Sequence, residues 1–208
     1  MPKGSPELTA ARKEEIVGAC EQLYQTMSFK DITLKEIGNA TSFTRTSIYN
    51  YFQTKEEIFL ALYEKEYDRW NEELTSILNE NDRLSNEELA DKIAGSIENR
   101  AQLLKLLSMN NYDMEANSRP ELLVSFKKAY GASMENMKKL LDKFRPDMSA
   151  SDKQDFIYVF FPFMFGIYPY TAVTDKQKFA LKEGNVDFTY QTIYEITYAC
   201  LIRLLRDK

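Results

Sequence analysis

Residues 32 to 59 read Ile32-Thr33-Leu34-Lys35-Glu36-Ile37-Gly38-Asn39-Ala40-Thr41-Ser42-Phe43-Thr44-Arg45-Thr46-Ser47-Ile48-Tyr49-Asn50-Tyr51-Phe52-Gln53-Thr54-Lys55-Glu56-Glu57-Ile58-Phe59, and their reading decides the fold. Three threonines divide the stretch. Thr33 stands before Leu34 to Ala40 and has Glu36 three positions on, the spacing of a capping box. Thr44 stands before a second short helix, Arg45 to about Phe52. Thr54 stands before a long helix whose Glu56 and Glu57 suit the positive end of the helix dipole. Thr41-Ser42-Phe43 is the tight connection between the two short helices. Helices this short are unstable alone, so the pair has to pack on a third element, with Ile37, Ala40, Ile48 and Phe52 turned inward. That element precedes them. From Thr9, a candidate N-cap, to about Met27, apolar residues recur at helical spacing as Ile16, Ala19, Cys20, Leu23, Tyr24 and Met27. The result is a three-helix unit containing a helix-turn-helix.

Beyond Thr54 the pattern stays helical. Ile58, Phe59, Leu62, Tyr63 and Trp70 carry the fourth helix to about Leu78, and 79–86 is polar. Further helices are expected at about 87–110 and 119–144, the second opening with Pro120 at its first position. Two more are expected at about 151–171 and 187–206, with a polar stretch, 174–185, between them. The 156–170 run is the most apolar in the chain. Its fifteen residues, interrupted by Pro162, Gly166 and Pro169, fall short of the roughly 20 that a bilayer requires. A kinked, buried helix is the better reading. With 7 glycines and 6 prolines in 208 residues, the fold class is all-α: an N-terminal three-helix head, 1–53, and a larger helical-bundle body, 54–208.

Composition removes function classes. The chain has no histidine, which excludes Ser-His-Asp and Cys-His catalysis and the usual imidazole metal ligands. Carboxylate-only and cofactor chemistry stay open to such a composition, but no enzyme, metal site or cofactor is expected. Cys20 and Cys200 stand 180 positions apart without a disulfide framework, and Met-Pro-Lys-Gly-Ser-Pro lacks the apolar core of a signal peptide, so a reducing, cytoplasmic setting is expected and no membrane. The net charge of −5 is uneven. Residues 1–55 carry seven basic and six acidic side chains, so the acidity lies in the body. A locally basic face on the head remains free to meet phosphate.

On the second short helix Arg45, Thr46, Tyr49 and Asn50 project away from the inward face, within about 9 Å at 1.5 Å rise per residue. A guanidinium, a hydroxyl, an amide and a phenol suit base edges in a major groove. Singly, Arg45 or Lys35 would read as solvated surface, and Tyr49 or Tyr51 as half-buried packing. Together, with Ile48-Tyr49-Asn50-Tyr51-Phe52-Gln53-Thr54-Lys55-Glu56-Glu57-Ile58 in order, the stretch resembles the DNA-binding head of the TetR family of transcription factors. The match runs from about residue 9 to 70.

The resemblance implies roles by position. Arg45, Thr46, Tyr49 and Asn50 would read bases. Thr33, Lys35, Ser47, Tyr51 and Lys55 would contact backbone phosphates, Lys55 at the start of the fourth helix where backbone amides also favour phosphate. At the turn the family usually places a glycine near the middle, so Ser42 has to accommodate a strained or adjusted turn. The resemblance also implies a homodimer through about 151–171 and 187–206, double-stranded operator DNA as partner, and a small-molecule effector bound in the body. Candidate pocket residues are Met109, Tyr112, Phe126, Tyr130, Phe163, Phe165 and Tyr168, whose aromatic and thioether character suggests an apolar or flat ligand. Individually each reads more simply as core packing. The resulting expectation is a repressor released from a palindromic operator by its effector. The alternative is a helical protein-interaction adaptor with a degenerate head.

Overall fold

A computed structural model describes residues 5–109 and 111–206, with the side chain of Asn111 also outside the description. The described residues form eleven helices and no strand. The sequence expectation of an all-α chain holds. By compactness the chain divides into two units. One comprises 5–66 and 111–130, the other 67–109 and 131–206.

In the first unit α1 (Pro6–Thr26) starts one turn earlier than the sequence suggests. Ser5, not Thr9, is its cap and accepts from the Leu8 amide, and Pro6 occupies the first position, where a missing N–H is harmless. Thr33 caps α2 (Leu34–Asn39) by accepting from the Lys35 and Glu36 amides. Glu36 does not complete a reciprocal box there: its carboxylate meets the Thr33 hydroxyl instead. Thr44 caps α3 (Arg45–Ile48), which is regular for four residues only; beyond it the Tyr51 and Phe52 amides still bond to Ile48, at 2.8 and 3.0 Å. Ile37, Ile48 and Phe52 are buried as expected, but Ala40 is exposed. It ends α2 as the C-cap, so its methyl lies past the last inward turn. The core they share with α1 is aromatic at its centre. Tyr24 meets Phe59 edge-on at 5.1 Å, and Phe29 meets Phe59 at 4.7 Å.

Thr54 caps α4 (Lys55–Glu80), accepting from the Glu57 amide at 3.1 Å. Residues 55–66 of α4 belong to the first unit and 67–80 to the second. The segment expected as one helix over 87–110 is divided. α5 (Asn86–Glu98) ends at Asn99-Arg100, α6 (Ala101–Leu107) follows, and a separate α7 (Asn111–Ala116) precedes α8 (Pro120–Phe144). Every position from Leu103 to Leu107 except Lys105 is buried, a largely apolar turn that explains why continuous hydrophobicity suggested continuous helix. Like α4, α8 is shared: 120–130 falls in the first unit.

In the second unit α9 (Ala150–Thr171) runs unbroken through Pro162 and Pro169, both exposed. Its Phe161 lies 5.8 Å from the fully buried Trp70, whose indole N–H donates to Ser96 Oγ at 3.0 Å. The stretch 174–185, expected as polar connection, contains α10 (Asp175–Glu183). Thr174 and Gln177 form a reciprocal capping box, and the helix ends where Asn185 adopts φ 50° with Asn185 and Val186 amides bonded to Lys182 and Leu181. α11 (Ile193–Leu204) begins later than the expected 187, at a second such box, Thr192 with Glu195, and packs on α5 and α9. Among the described residues no single helix is long and apolar enough to cross a membrane.

Candidate DNA interface

The head begins with a close approach. A Cβ added at Gly38 on α2 would lie 3.2 Å from the Arg45 amide nitrogen and 3.6 Å from the Phe43 carbonyl oxygen. A side chain here would have to push the backbone at the start of α3 away by a few tenths of an ångström, and glycine avoids that. The turn between them is unstrained: none of Thr41, Ser42 or Phe43 has positive φ. Of the strained or adjusted turn expected at Ser42, the structure has the adjusted one. Instead of a glycine, the turn uses side-chain bonds. The Ser42 amide donates to Glu15 Oε1 of α1 at 2.7 Å, the Phe43 amide to Thr41 Oγ1 at 3.3 Å, and the Thr41 hydroxyl to the Gly38 carbonyl at 3.1 Å. The bond from Ser42 also holds the Glu15 carboxyl below its ordinary range.

With Ile48 fully buried and Phe52 nearly so, the opposite side of the 45–50 segment faces out. Arg45, Thr46, Tyr49 and Asn50 are all exposed there. Arg45 Nη2 donates to the Tyr49 hydroxyl at 3.3 Å, one helical turn away, which holds the guanidinium along the face. Tyr49 keeps 46% of its surface exposed. Two flat donor groups and an amide thus share one ridge.

The five residues assigned to phosphates are placed differently from one another. Lys35 is exposed and Ser47 half-buried, the Ser47 hydroxyl 3.1 Å from that of Thr44. Thr33 is exposed, but its hydroxyl already caps α2. Tyr51 is only 9% exposed and packs against Phe43 at 6.1 Å. Lys55 turns back into its own unit. Its ammonium donates to the carbonyls of Phe29 at 2.7 Å and Ile32 at 3.2 Å and lies 4.0 Å above the Phe29 ring.

A side-chain network unseen from the sequence lies beneath the segment. Glu57, on the first turn of α4, is buried, and its carboxylate accepts from the Gln53 amide at 2.7 Å, from Arg119 Nε at 2.7 Å, from Arg119 Nη2 at 3.0 Å and from the Arg119 amide at 3.1 Å. Burial pushes its carboxyl up; the bonds from Arg119 and Gln53 outweigh burial and hold it below the ordinary value. Arg119 Nη2 also donates to the Tyr51 carbonyl at 3.1 Å, and the Thr54 hydroxyl donates to the Asn117 carbonyl at 2.9 Å.

The seven pocket candidates do not form one cluster within either unit. Tyr112, Phe126 and Tyr130 belong to the first unit, and Met109, Phe163, Phe165 and Tyr168 to the second. Phe126 stacks on Tyr63 at 4.9 Å; Tyr112 is 85% exposed. In the second unit Phe163 stacks on Phe160 at 6.4 Å, Phe165 is exposed, and Met109 and Tyr168 are half-buried. A cleft of about 790 Å³ in that unit is lined instead by Arg69, Glu72, Glu73, Lys92 and Arg100 among others.

Comparison with known proteins agrees with this geometry. Residues 16–62 match the bacterial regulatory proteins of the tetR family, and residues 64–192 match the tetracyclin repressor-like C-terminal domain. A search of curated proteins finds no match. Among solved structures, the fatty acid degradation regulator FadR from Bacillus halodurans aligns with a TM-score of 0.58 at 16% identity, covering 98% of this chain and 97% of that one. FadR from Bacillus subtilis, solved in complex with stearoyl-CoA, aligns with 0.59 at 12% identity over 92% and 96%. The MbdR regulator from Azoarcus sp. CIB gives 0.56 at 16% over 93% and 98%. The two family matches together span most of the sequence, and the chain belongs to the tetR family of bacterial regulatory proteins, as a transcriptional regulator.

Proposed function

We propose that the chain is a homodimeric repressor that binds a palindromic operator in double-stranded DNA through residues 1–53 and is released by a small apolar or aromatic effector bound within 54–208. The observation that carries this reading is the ridge of Arg45, Thr46, Tyr49 and Asn50, exposed together on a segment whose other side is buried. Arg45 is suited to a guanine edge, and Asn50 to an adenine edge. Lys35 and Ser47, flanking the ridge, suit backbone phosphates, as do Thr33, Tyr51 and Lys55 through whatever donor capacity their internal bonds leave.

Dimerisation follows from the size of the ridge, which can read only a few base pairs. A two-fold partner doubles the contact and fixes recognition segments about 34–36 Å apart or somewhat more. Support for pairing through 151–171 and 187–206 comes from α9, where Tyr158, Val159, Phe165 and Tyr170 are exposed on a helix whose other face is core, as expected for a helix apolar on two sides. The stearoyl-CoA in the Bacillus subtilis FadR complex supports an effector with a long apolar part. The effector would favour a body conformation in which α4 is reoriented, so that the two heads no longer match successive grooves; this needs different affinities for the two states.

A duplex selected by the protein from a random pool tests the reading. Arg45→Ala should weaken that duplex by ~1–3 kcal/mol and relax one base position. Sedimentation should give a dimer, and stearoyl-CoA should release the duplex in a band-shift titration. A protein that selects no duplex would overturn the proposal.

A further inference from the structure

The bonds from Arg119 and Asn117 to the turn that follows the recognition segment connect chain positions 68 and 63 residues apart. The segment they hold, Tyr51 to Thr54, lies between two helices: α3 stops at Ile48 and α4 starts at Lys55. Between these helices, Tyr51 offers a carbonyl, Gln53 an amide and Thr54 a hydroxyl, and all three are held at 2.7–3.1 Å, either by Glu57 or by the 117–119 junction between α7 and α8. Glu57 is the pivot. Its two carboxylate oxygens face the Gln53 amide on one side and the Arg119 fork on the other. A planar guanidinium spans both oxygens and still reaches the Tyr51 carbonyl; an ammonium on a single stem cannot.

We propose that Arg119 is a positioning residue for DNA reading: through Glu57 and the Tyr51 carbonyl, the α7–α8 junction sets the orientation of the 45–50 ridge and so determines operator discrimination. Arg119 need not touch DNA. The geometry carries the assignment, because an ion pair serving only to join two elements would not also need the bond to the backbone at the end of the recognition segment. The same unit contains all the participants: 51–57 and 117–119 both fall within it. The proposal rests on the DNA-binding reading above and adds to it a second, non-contacting determinant of specificity.

The test uses the full chain and two duplexes of equal length, one selected by the parent protein from a random pool and one scrambled. For Arg119→Gln the selected duplex should bind about tenfold more weakly, while the scrambled duplex changes by less than about threefold and the salt slope is kept. A residue with a purely structural role would lower the melting temperature without changing that ratio. Arg119→Lys, which keeps the charge but not the fork, should lose part of the discrimination. Glu57→Gln should resemble Arg119→Gln, and the double variant should lose no more than either single one, since both act through one contact. A folded Arg119→Gln protein with the parent's ratio overturns the proposal, as does an equal loss on both duplexes. If neither Arg119 variant folds, the pair holds the head together rather than orienting it, and the proposal is again overturned. If the parent itself selects no duplex, the DNA-binding reading has failed first.

Discussion

Lys55→Met separates the internal role of this ammonium from any phosphate contact. Lys55 is the first residue of α4, where a cation opposes the helix dipole. The structure compensates by pointing the ammonium at two carbonyl oxygens, Phe29 at 2.7 Å and Ile32 at 3.2 Å, and over the Phe29 ring at 4.0 Å. A charge-assisted bond contributes about 1.5–3 kcal/mol, and the half-buried setting places both bonds at or below the low end. The longer bond adds less than the shorter, and the ring contact adds about 0.5 kcal/mol. Methionine preserves the stem's packing, so the expected loss is about 2–3 kcal/mol. For a chain of this length that lowers the melting temperature by about 5–10 °C, read by circular dichroism at 222 nm. Band shifts over a range of salt run in parallel. If the third N–H also meets a phosphate, the salt slope falls by about one; if the role is wholly internal, the slope stays. A melting temperature within about 1 °C of the parent's would refute the argument, because it would mean water replaces both carbonyl bonds without penalty.

Gly38→Ala should weaken both stability and selected-duplex binding by about 1–3 kcal/mol, since the added methyl meets backbone at 3.2 Å rather than a movable side chain; unchanged urea midpoint and affinity would disprove the close-approach reading. Glu57 makes stability depend on pH. Its carboxyl is held below the ordinary 4.5 in the folded chain, so its contribution is complete above the unfolded value and is lost as pH falls through the folded one. Comparing urea midpoints, the advantage of the parent over Glu57→Gln should shrink as pH drops below about 4.5, and an advantage independent of pH between neutral and strongly acid conditions would contradict it. Thr174→Ala removes one half of the α10 capping box. It should lower local stability by about 1 kcal/mol and raise hydrogen exchange across 175–183, with little change elsewhere; equal protection in parent and variant would show that the cap is not what holds α10.

The parts of this molecule legible in its sequence are those set by neighbours in the chain. Thr33, Thr44 and Thr54 cap the helices they precede because capping acts across two or three residues. The alternation of Ile48 and Phe52 with Arg45 and Tyr49 announced which side of the recognition segment would be buried. Where local signals misled, a specific cause is visible. Helix α10 has no buried residue at all, so hydrophobic periodicity had nothing to detect, and only the Thr174-Gln177 spacing could have revealed it. The run Leu103-Leu104-Lys105-Leu106-Leu107, apolar at four of its five positions, concealed the break before it at Asn99-Arg100 because it continues the hydrophobic pattern of α5.

The polar network around Glu57 was illegible for a different reason. Glu57 read as a first-turn acid favoured by the helix dipole, which is a surface role, whereas it is buried. Its charged partner is distant in sequence: Arg119 lies 62 residues away at the mouth of α8. Such a pair is a poor way to gain stability, since desolvation offsets much of the attraction. Apolar side chains would hold two elements together at least as well, as Tyr63 and Phe126 do elsewhere in the same unit at 4.9 Å. What an apolar contact lacks is direction. A stacked pair tolerates sliding, while a forked guanidinium bound to two carboxylate oxygens and a carbonyl fixes angle and distance together. The head therefore uses shape to fold and charge to aim. The aromatic core of Tyr24, Phe29 and Phe59 keeps the helices together, and the Glu57–Arg119 network fixes the direction of the turn that ends the recognition segment.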